Sequence, residues 1–322
     1  MVGVGWCLWI RHYNPFNHGF AMKDSIFESY ETAAKVHALC RKRAAEFIQP
    51  GVKLLDIAEE IESLTKKHGC GIAFPLNLSL NHIAAHYTPS ADDDTRVEKG
   101  DVLKVDIGVH KNGYIVDAAI TLDFAKTPET QNLVQTTMRA LNEAFALVQV
   151  GVEVGTIGEK VEGVMRAAGV TPINNLSGHG VDQYVAHCDP TIPNIGNGDA
   201  SEFEDDCAYA IEPFGVINGN GAIIDDTRVE IFEVNEKVSV RNANARKLLD
   251  FCIETYEGLP FAERWIERDL EMSPFQRKIA LRELLTVGAL MDHAVLKEKK
   301  GALVAQFETT LVINKGKVVR LV

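Results

Sequence analysis

The stretch "VLKVDIGVHKNGYIVDAAITL", residues 102–122, reads as two β-strands joined at Asn112-Gly113. Asn-Gly is the strongest short hairpin signal, because a two-residue type I′ turn needs positive φ at both central positions. With that turn, Lys111 faces Tyr114, and pairing outward sets Val109 against Val116, Ile107 against Ala118 and Val105 against Ile120. One face is then wholly apolar. The other sets Lys104 opposite Thr121, Asp106 opposite Ala119 and Gly108 opposite Asp117. Asp106 and Asp117 become diagonal neighbours with Cα atoms about 7–8 Å apart. Gly108 removes a side chain expected to crowd Asp117. Aspartate is a poor strand former. Two on one face read either as a solvated sheet surface or as part of a divalent-metal site, which needs oxygen or nitrogen ligands from elsewhere in the chain.

The 322 residues suffice for one large domain or two smaller ones, and 46% hydrophobic with 24% charged residues is a globular composition. A formal net charge of −12 argues against nucleic acid as the main ligand. The six cysteines are scattered without a C-x-x-C pair, so neither a zinc ribbon nor a disulfide framework is indicated. That usage fits a reducing cytoplasm, and no apolar run approaches the length of a membrane span. Residues 1–21 hold an apolar run interrupted by Arg11, a poor signal peptide. Met22 precedes an amphipathic helix, so translation is expected to start there, with 1–21 an extension of doubtful status.

The chain repeats itself. "QPGVKLLDIAEEIESLTKKHG" at 49–69 matches "QVGVEVGTIGEKVEGVMRAAG" at 149–169. Each reads as a turn and an amphipathic helix closed by a Gly C-cap. Each follows another helix, roughly 24–48 and 128–148. "LNLSLNHIAAH" ends at His86 as "INNLSGHGVDQYVAH" ends at His187, and "KGDVLKVDIG" parallels "DDCAYAIEPF", setting Asp106 against Glu212. Two such halves imply a pseudo-twofold α+β fold, with a curved antiparallel sheet inside and helices outside. Residues 236–297 read as a small helical insertion whose third helix opens at Ser273-Pro274, and a hairpin over 301–322 carries Glu308 in its first strand. The expected domains are 22–235 with 298–322, and 236–297.

Asp106, Asp117, His179 between glycines in "LSGHGV", Glu212 in "AYAIEPF" and Glu308 in "VAQFETT" are the candidate ligands. With "AFPLNLSLNHIAAHYTP" (73–89) and "NLSGHGVDQYVAH" (175–187), these stretches resemble the methionine aminopeptidases of metallopeptidase family M24, the type 2 group of archaeal character. The resemblance spans about 24–322. It implies the pita-bread fold, with a winged-helix-like insertion, and a cytoplasmic hydrolase that removes N-terminal methionine by attack of a metal-bridging water or hydroxide on the first peptide bond. It implies two divalent ions (Co, Mn, Fe or Zn), with Asp117 and Glu308 bridging, Asp106 on one ion, and His179 with Glu212 on the other. Glu212 would shuttle the proton, His86 and His187 would contact the scissile amide, and Phe74 would line an apolar methionine pocket.

Expected partners are Met-initiated peptides and nascent chains, with the ribosome an open case; the chain is expected to be a monomer, with neither a membrane nor nucleic acid as its main ligand. One departure is clear: where the type 2 group usually reads Gln-Phe-Glu-His-Thr, this chain has Gln306-Phe307-Glu308-Thr309-Thr310. Alternation along a strand points Thr309 away from the ligands. The alternatives on this fold are an Xaa-Pro peptidase of prolidase or aminopeptidase P type, and a non-catalytic binding protein.

Overall fold

The computed structural model describes residues 22–322; the expected start at Met22 and the status of 1–21 concern a segment outside them. The repeat is present in detail. Helices α1 (Asp24–Phe47) and α2 (Leu54–Lys67) are echoed by α3 (Pro128–Phe145) and α4 (Val154–Ala167). Before α2, Gly51 N donates to Val97 O; before α4, Gly151 N donates to Phe203 O. Both helices end at glycines in the left-handed region, Gly69 at φ 72 and Gly169 at φ 73, where no Cβ penalty arises.

In the first half, β1 (Gly71–Leu80), β3 (Val102–Lys111) and β4 (Tyr114–Asp123) form one antiparallel ladder, and β2 (Ile83–Ala85) follows β1. In the second, β5 (Thr171–Pro172), β6 (Ser177–Asp182), β7 (Val185–Pro193), β8 (Ala208–Ile211) and β9 (Phe214–Ile217) lead to β10 (Ile224–Val234). The hairpin register is the one read from sequence, from Lys111↔Tyr114 to Val102↔Asp123 without a bulge. Asn112 and Gly113 take φ 54 and 85.

The apolar face of this hairpin packs under α1 and α2. Val105, Ile107, Val109 and Val116 join Ala33, Cys40 and Ala44 of α1 and Leu54, Ile57 and Ile61 of α2 in one buried cluster. Each such side chain contributes roughly 1.5–3 kcal/mol of burial. A matching cluster lies under α3 and α4, with Tyr209, Ile211 and Leu311. Both helical layers therefore cover outer faces, and the inner faces are left for the polar residues.

Residues 236–297 hold α5 (Ala243–Tyr256), the short β11 (Phe261–Ala262), α6 (Glu263–Asp269) and α7 (Pro274–Thr286), the last opened by a Ser273–Gln276 capping box. They also hold a strand the sequence reading passed over, β12 (Leu290–Lys297), which lies between β10 and β2. "LMDHAVLK" has little β-branching, and its pairing comes from flanking strands rather than propensity. The final hairpin also differs from expectation. Its first strand is broken into β13 (Leu303–Gln306), paired to β9, and β14 (Thr309–Asn314), paired to β8 and to β15 (Lys317–Arg320).

Candidate metal centre

The break in the last strand lies beside a break in its neighbour. β8 ends at Ile211 and β9 begins at Phe214, so Glu212-Pro213 interrupts one strand as Phe307-Glu308 interrupts the other. Proline has no N–H for a ladder, and Phe307 N donates instead to Pro213 O at 3.3 Å. Both glutamates thus leave the regular pleat, which lets them turn inward together. Hydroxyls fasten this corner to β4. Thr310 Oγ1 donates to Asp117 O and accepts from Asp117 N, Thr121 Oγ1 does the same for Gln306, and Glu308 N donates to Ala119 O.

His179 pairs opposite Ala210 of β8 and Thr191 of β7. Its flanking glycines are sterically required: a Cβ on Gly178 would lie 2.3 Å from Ala210 O, and one on Gly180 2.5 Å from Asp189 O. Gly108 departs from the sequence reading. The space above it is filled by Phe74, whose ring would meet a Cβ there at 2.4 Å, because Phe74 on β1 pairs directly with Gly108.

All five candidate ligands converge. Ligand atoms of Asp117, His179 and Glu308 lie within 4.8 Å of one another. His179 Nε2 is 3.8 Å from both Asp117 Oδ2 and Glu212 Oε1. Gln306 Nε2 reaches Asp106 Oδ2 at 3.4 Å, Glu212 Oε2 at 3.3 Å and Glu308 Oε2 at 3.5 Å. Gln306, which carries no role in the sequence reading, closes β13 at the strand break, and its amide meets three of the acids there.

Four acids in one buried space are electrostatically frustrated. Burial pushes Asp106 up to about 6. Burial, then the charges of Asp106 and Glu212, drives Asp117 well above the carboxylate range. Glu308 and Glu212 are driven the same way, by burial first and neighbouring acids second. His179 is held well below the usual histidine value by burial and by His187, so it is a neutral nitrogen donor. Buried Asp106 Oδ1, Asp117 Oδ1 and Glu308 Oε1 have no hydrogen-bond partner. Orphaned carboxylate oxygens beside a neutral imidazole fit divalent cations of hard to borderline character.

This arrangement predicts a metal-linked stability profile. The folded state without metal binds more protons than the unfolded state at these carboxylates, so its stability falls as pH rises. The buried histidines, with depressed pKa, act oppositely but only below about 6.5, the unfolded histidine value. From about pH 6.5 to 8 the histidines drop out, and buried Lys104, held well below the usual lysine value by burial, opposes the carboxylates with or without a cation. A cation favours the ionised carboxylates, so the melting-temperature gain on adding Mn²⁺ to metal-free protein should grow across that window. A gain that stays flat between the two pH values counts against a cation at these acids.

Around the cluster lie the other sequence candidates. The His187 ring stands 4.4 Å from that of His179. His187 is solvent-exposed in the open cleft although protein surrounds it at longer range, and its pKa is held below the histidine value by desolvation and then by His293. His86, with φ 61, is pushed down to about 3 by burial, His293 and His187. Phe74 is buried with Ala73, Ile115, Ala186 and Leu259 in an apolar cluster adjoining the hairpin's inner face. The sequence reading missed His293, which sits on β12 with its Nε2 3.2 Å from Glu233 Oε2. Thr309 turns away from the carboxylates, donating to Val322 O and accepting from Arg320 Nε.

The profile of metallopeptidase family M24 matches residues 28–234. The methionine aminopeptidase of Pyrococcus abyssi (strain GE5 / Orsay) is 40% identical over 297 residues, covering 92% of this chain and 98% of that protein. Among solved structures, a thermophilic Arx1 has a TM-score of 0.82 at 20% identity, covering 94% of this chain and 91% of its own. A methionine aminopeptidase from Rickettsia prowazekii has a TM-score of 0.67 at 18% identity, covering 94% and 98%. These likenesses carry the fold, which is the pita-bread arrangement of helices around an inner sheet. Among the described residues no helix is long and apolar enough to cross a membrane.

Proposed function

The chain belongs to metallopeptidase family M24, and on that premise we propose that it is a methionine aminopeptidase of the type 2 group, releasing N-terminal methionine from peptides and nascent chains. The observation that carries this reading is the convergence of Asp106, Asp117, His179, Glu212 and Glu308, with orphaned oxygens, in a chain so similar to a whole methionine aminopeptidase. Those five residues would hold the divalent ions, two by this reading, and would supply their oxygen and nitrogen donors. The proposed setting is a cytoplasmic monomer.

When bound, the cations supply Lewis acidity, which activates water at neutral pH and polarises the scissile carbonyl. The chain's own residues do the rest. Glu212 keeps 14% side-chain exposure toward the cleft; it takes a proton from the attacking water and returns it to the departing amine. His86 and His187, held neutral, keep an N–H for the scissile amide without adding positive charge beside the cations. Phe74 and its apolar neighbours receive the methionine side chain, whose sulfur favours aromatic edges.

The test is a pair of substrates offered to protein reloaded with Mn²⁺, Co²⁺, Fe²⁺ or Zn²⁺. Met-Ala-Ser should release methionine, and an Xaa-Pro dipeptide should stay intact. The reverse result would establish a prolidase-type enzyme. A folded protein that binds no divalent ion would leave a non-catalytic member of the fold.

A further inference from the structure

We propose that His293, anchored by Glu233, is a positioning residue for His86. The proposal rests on the reading of this cleft as a methionine-releasing site. β12 grips the first cleft histidine in two ways. Its backbone pairs with β2, Leu296 opposite Ala85, next to His86. Its residues 293 and 294 then meet the imidazole. The Ala294 backbone shares a hydrogen bond with the His86 ring, and the His293 ring stands at 5.6 Å and 87°, edge to face.

His86 needs this support. At φ 61 its backbone lies in the left-handed region, which is costly for a residue with a Cβ. The strand that leads to it has only three residues. His293 is itself held. Its Nε2 lies 3.2 Å from Glu233 Oε2. Ile231↔His293 and Glu233↔Met291 are ladder partners of β10 and β12, so the two side chains share a face. Glu233, His293, His86 and then His187 are the titratable groups gathered on this wall of the cleft. The chain of contacts runs from Glu233 through His293 to the imidazole assigned to the scissile amide.

Without the His293 ring, the His86 imidazole keeps only its backbone bond to Ala294 and can pivot about it, and a displacement of about 1 Å can cost as much as ~10²-fold in rate. The experiment uses the full chain, Met-Ala-Ser and Mn²⁺, comparing His293→Ala, His293→Phe and Glu233→Ala. It reads kcat and KM, and also the His86 ring resonances of metal-free protein, assigned by their loss in His86→Gln. His293→Ala should lower kcat at least about tenfold, leave KM within about twofold, and split or broaden the His86 signals. His293→Phe restores a ring but not the bond to Glu233, so it should recover only part of the lost kcat, with His86 signals between those of His293→Ala and wild type. Wild-type kcat and unchanged His86 signals in His293→Ala overturn the proposal. Should that variant fail to fold by circular dichroism, Glu233→Ala decides by the same readouts, since loss of the anchor must also loosen His86. A wild-type protein that releases no methionine overturns the functional reading instead, and the ring signals, which need no turnover, still judge the positioning.

Discussion

Glu308→Gln is expected to lower methionine release by at least ~10³-fold while making the metal-free protein more stable. The first effect follows from the cost of misplacing cations that supply several kcal/mol of transition-state stabilisation, each 1.36 kcal/mol being about tenfold in rate. The second follows from frustration. Glu308 is 4% exposed, faces Asp117, Glu212 and Asp106, and has a buried oxygen with no partner. An amide of the same shape needs no proton taken up on folding to be neutral there, so that cost disappears. The relief should be on the order of 1–3 kcal/mol near pH 7, the usual cost of an unsatisfied buried polar group. Urea unfolding in the presence of a chelator measures the gain, and Mn²⁺ titration calorimetry should show weakened binding. A variant that turns over like wild type, or whose metal-free form is less stable, removes Glu308 from the proposed centre.

The two halves of that cluster were unequally legible in the sequence. Asp106 and Asp117 could be placed on one face because Asn112-Gly113 fixes a register and side chains alternate with period two. The structure keeps every pair of that register. Glu212 and Glu308 obey no such rule. Each lies at a strand break, and what turns it inward is a long-range event: β8 and β14 share one ladder, β9 and β13 another, and both strands change ladder at the same level. The proline after Glu212 hinted at its break; "VAQFETTLV" contains no such signal, so Glu308 read as lying within a strand. His293 was invisible for a related reason. Its strand is made by the neighbours that enclose it, and its His86 contact bridges more than two hundred residues. The internal repeat, by contrast, depends on local turns and glycine caps, and these carried over intact.

Arg264→Ala should destabilise the protein by about 3–5 kcal/mol, the usual effect of stranding one member of a buried ion pair. Glu62 of α2 and Arg264 of α6 are 7% and 5% exposed and make a salt bridge. Glu62 also accepts from Leu76 N at 3.2 Å and from Trp265 Nε1 at 2.8 Å. Arg264 Nη1 donates to Thr88 Oγ1 at 2.6 Å and to Pro89 O at 3.1 Å. One guanidinium therefore ties α6 both to the outer helix layer and to the segment just after His86. Removing it leaves Glu62 buried without its cation and frees the 88–89 segment, so the loss should reach catalysis as well as stability. The double variant Glu62→Leu/Arg264→Met tests the electrostatic part. With both charges gone no ion is stranded, and its destabilisation should be smaller than that of Arg264→Ala alone, giving a large coupling in the double-mutant cycle. Additive losses, with the double variant worst, would mean that packing rather than the buried charge pair holds α6 in place. Because Thr88 stands two residues from His86, the double variant should also keep a lower kcat than wild type even where its stability recovers.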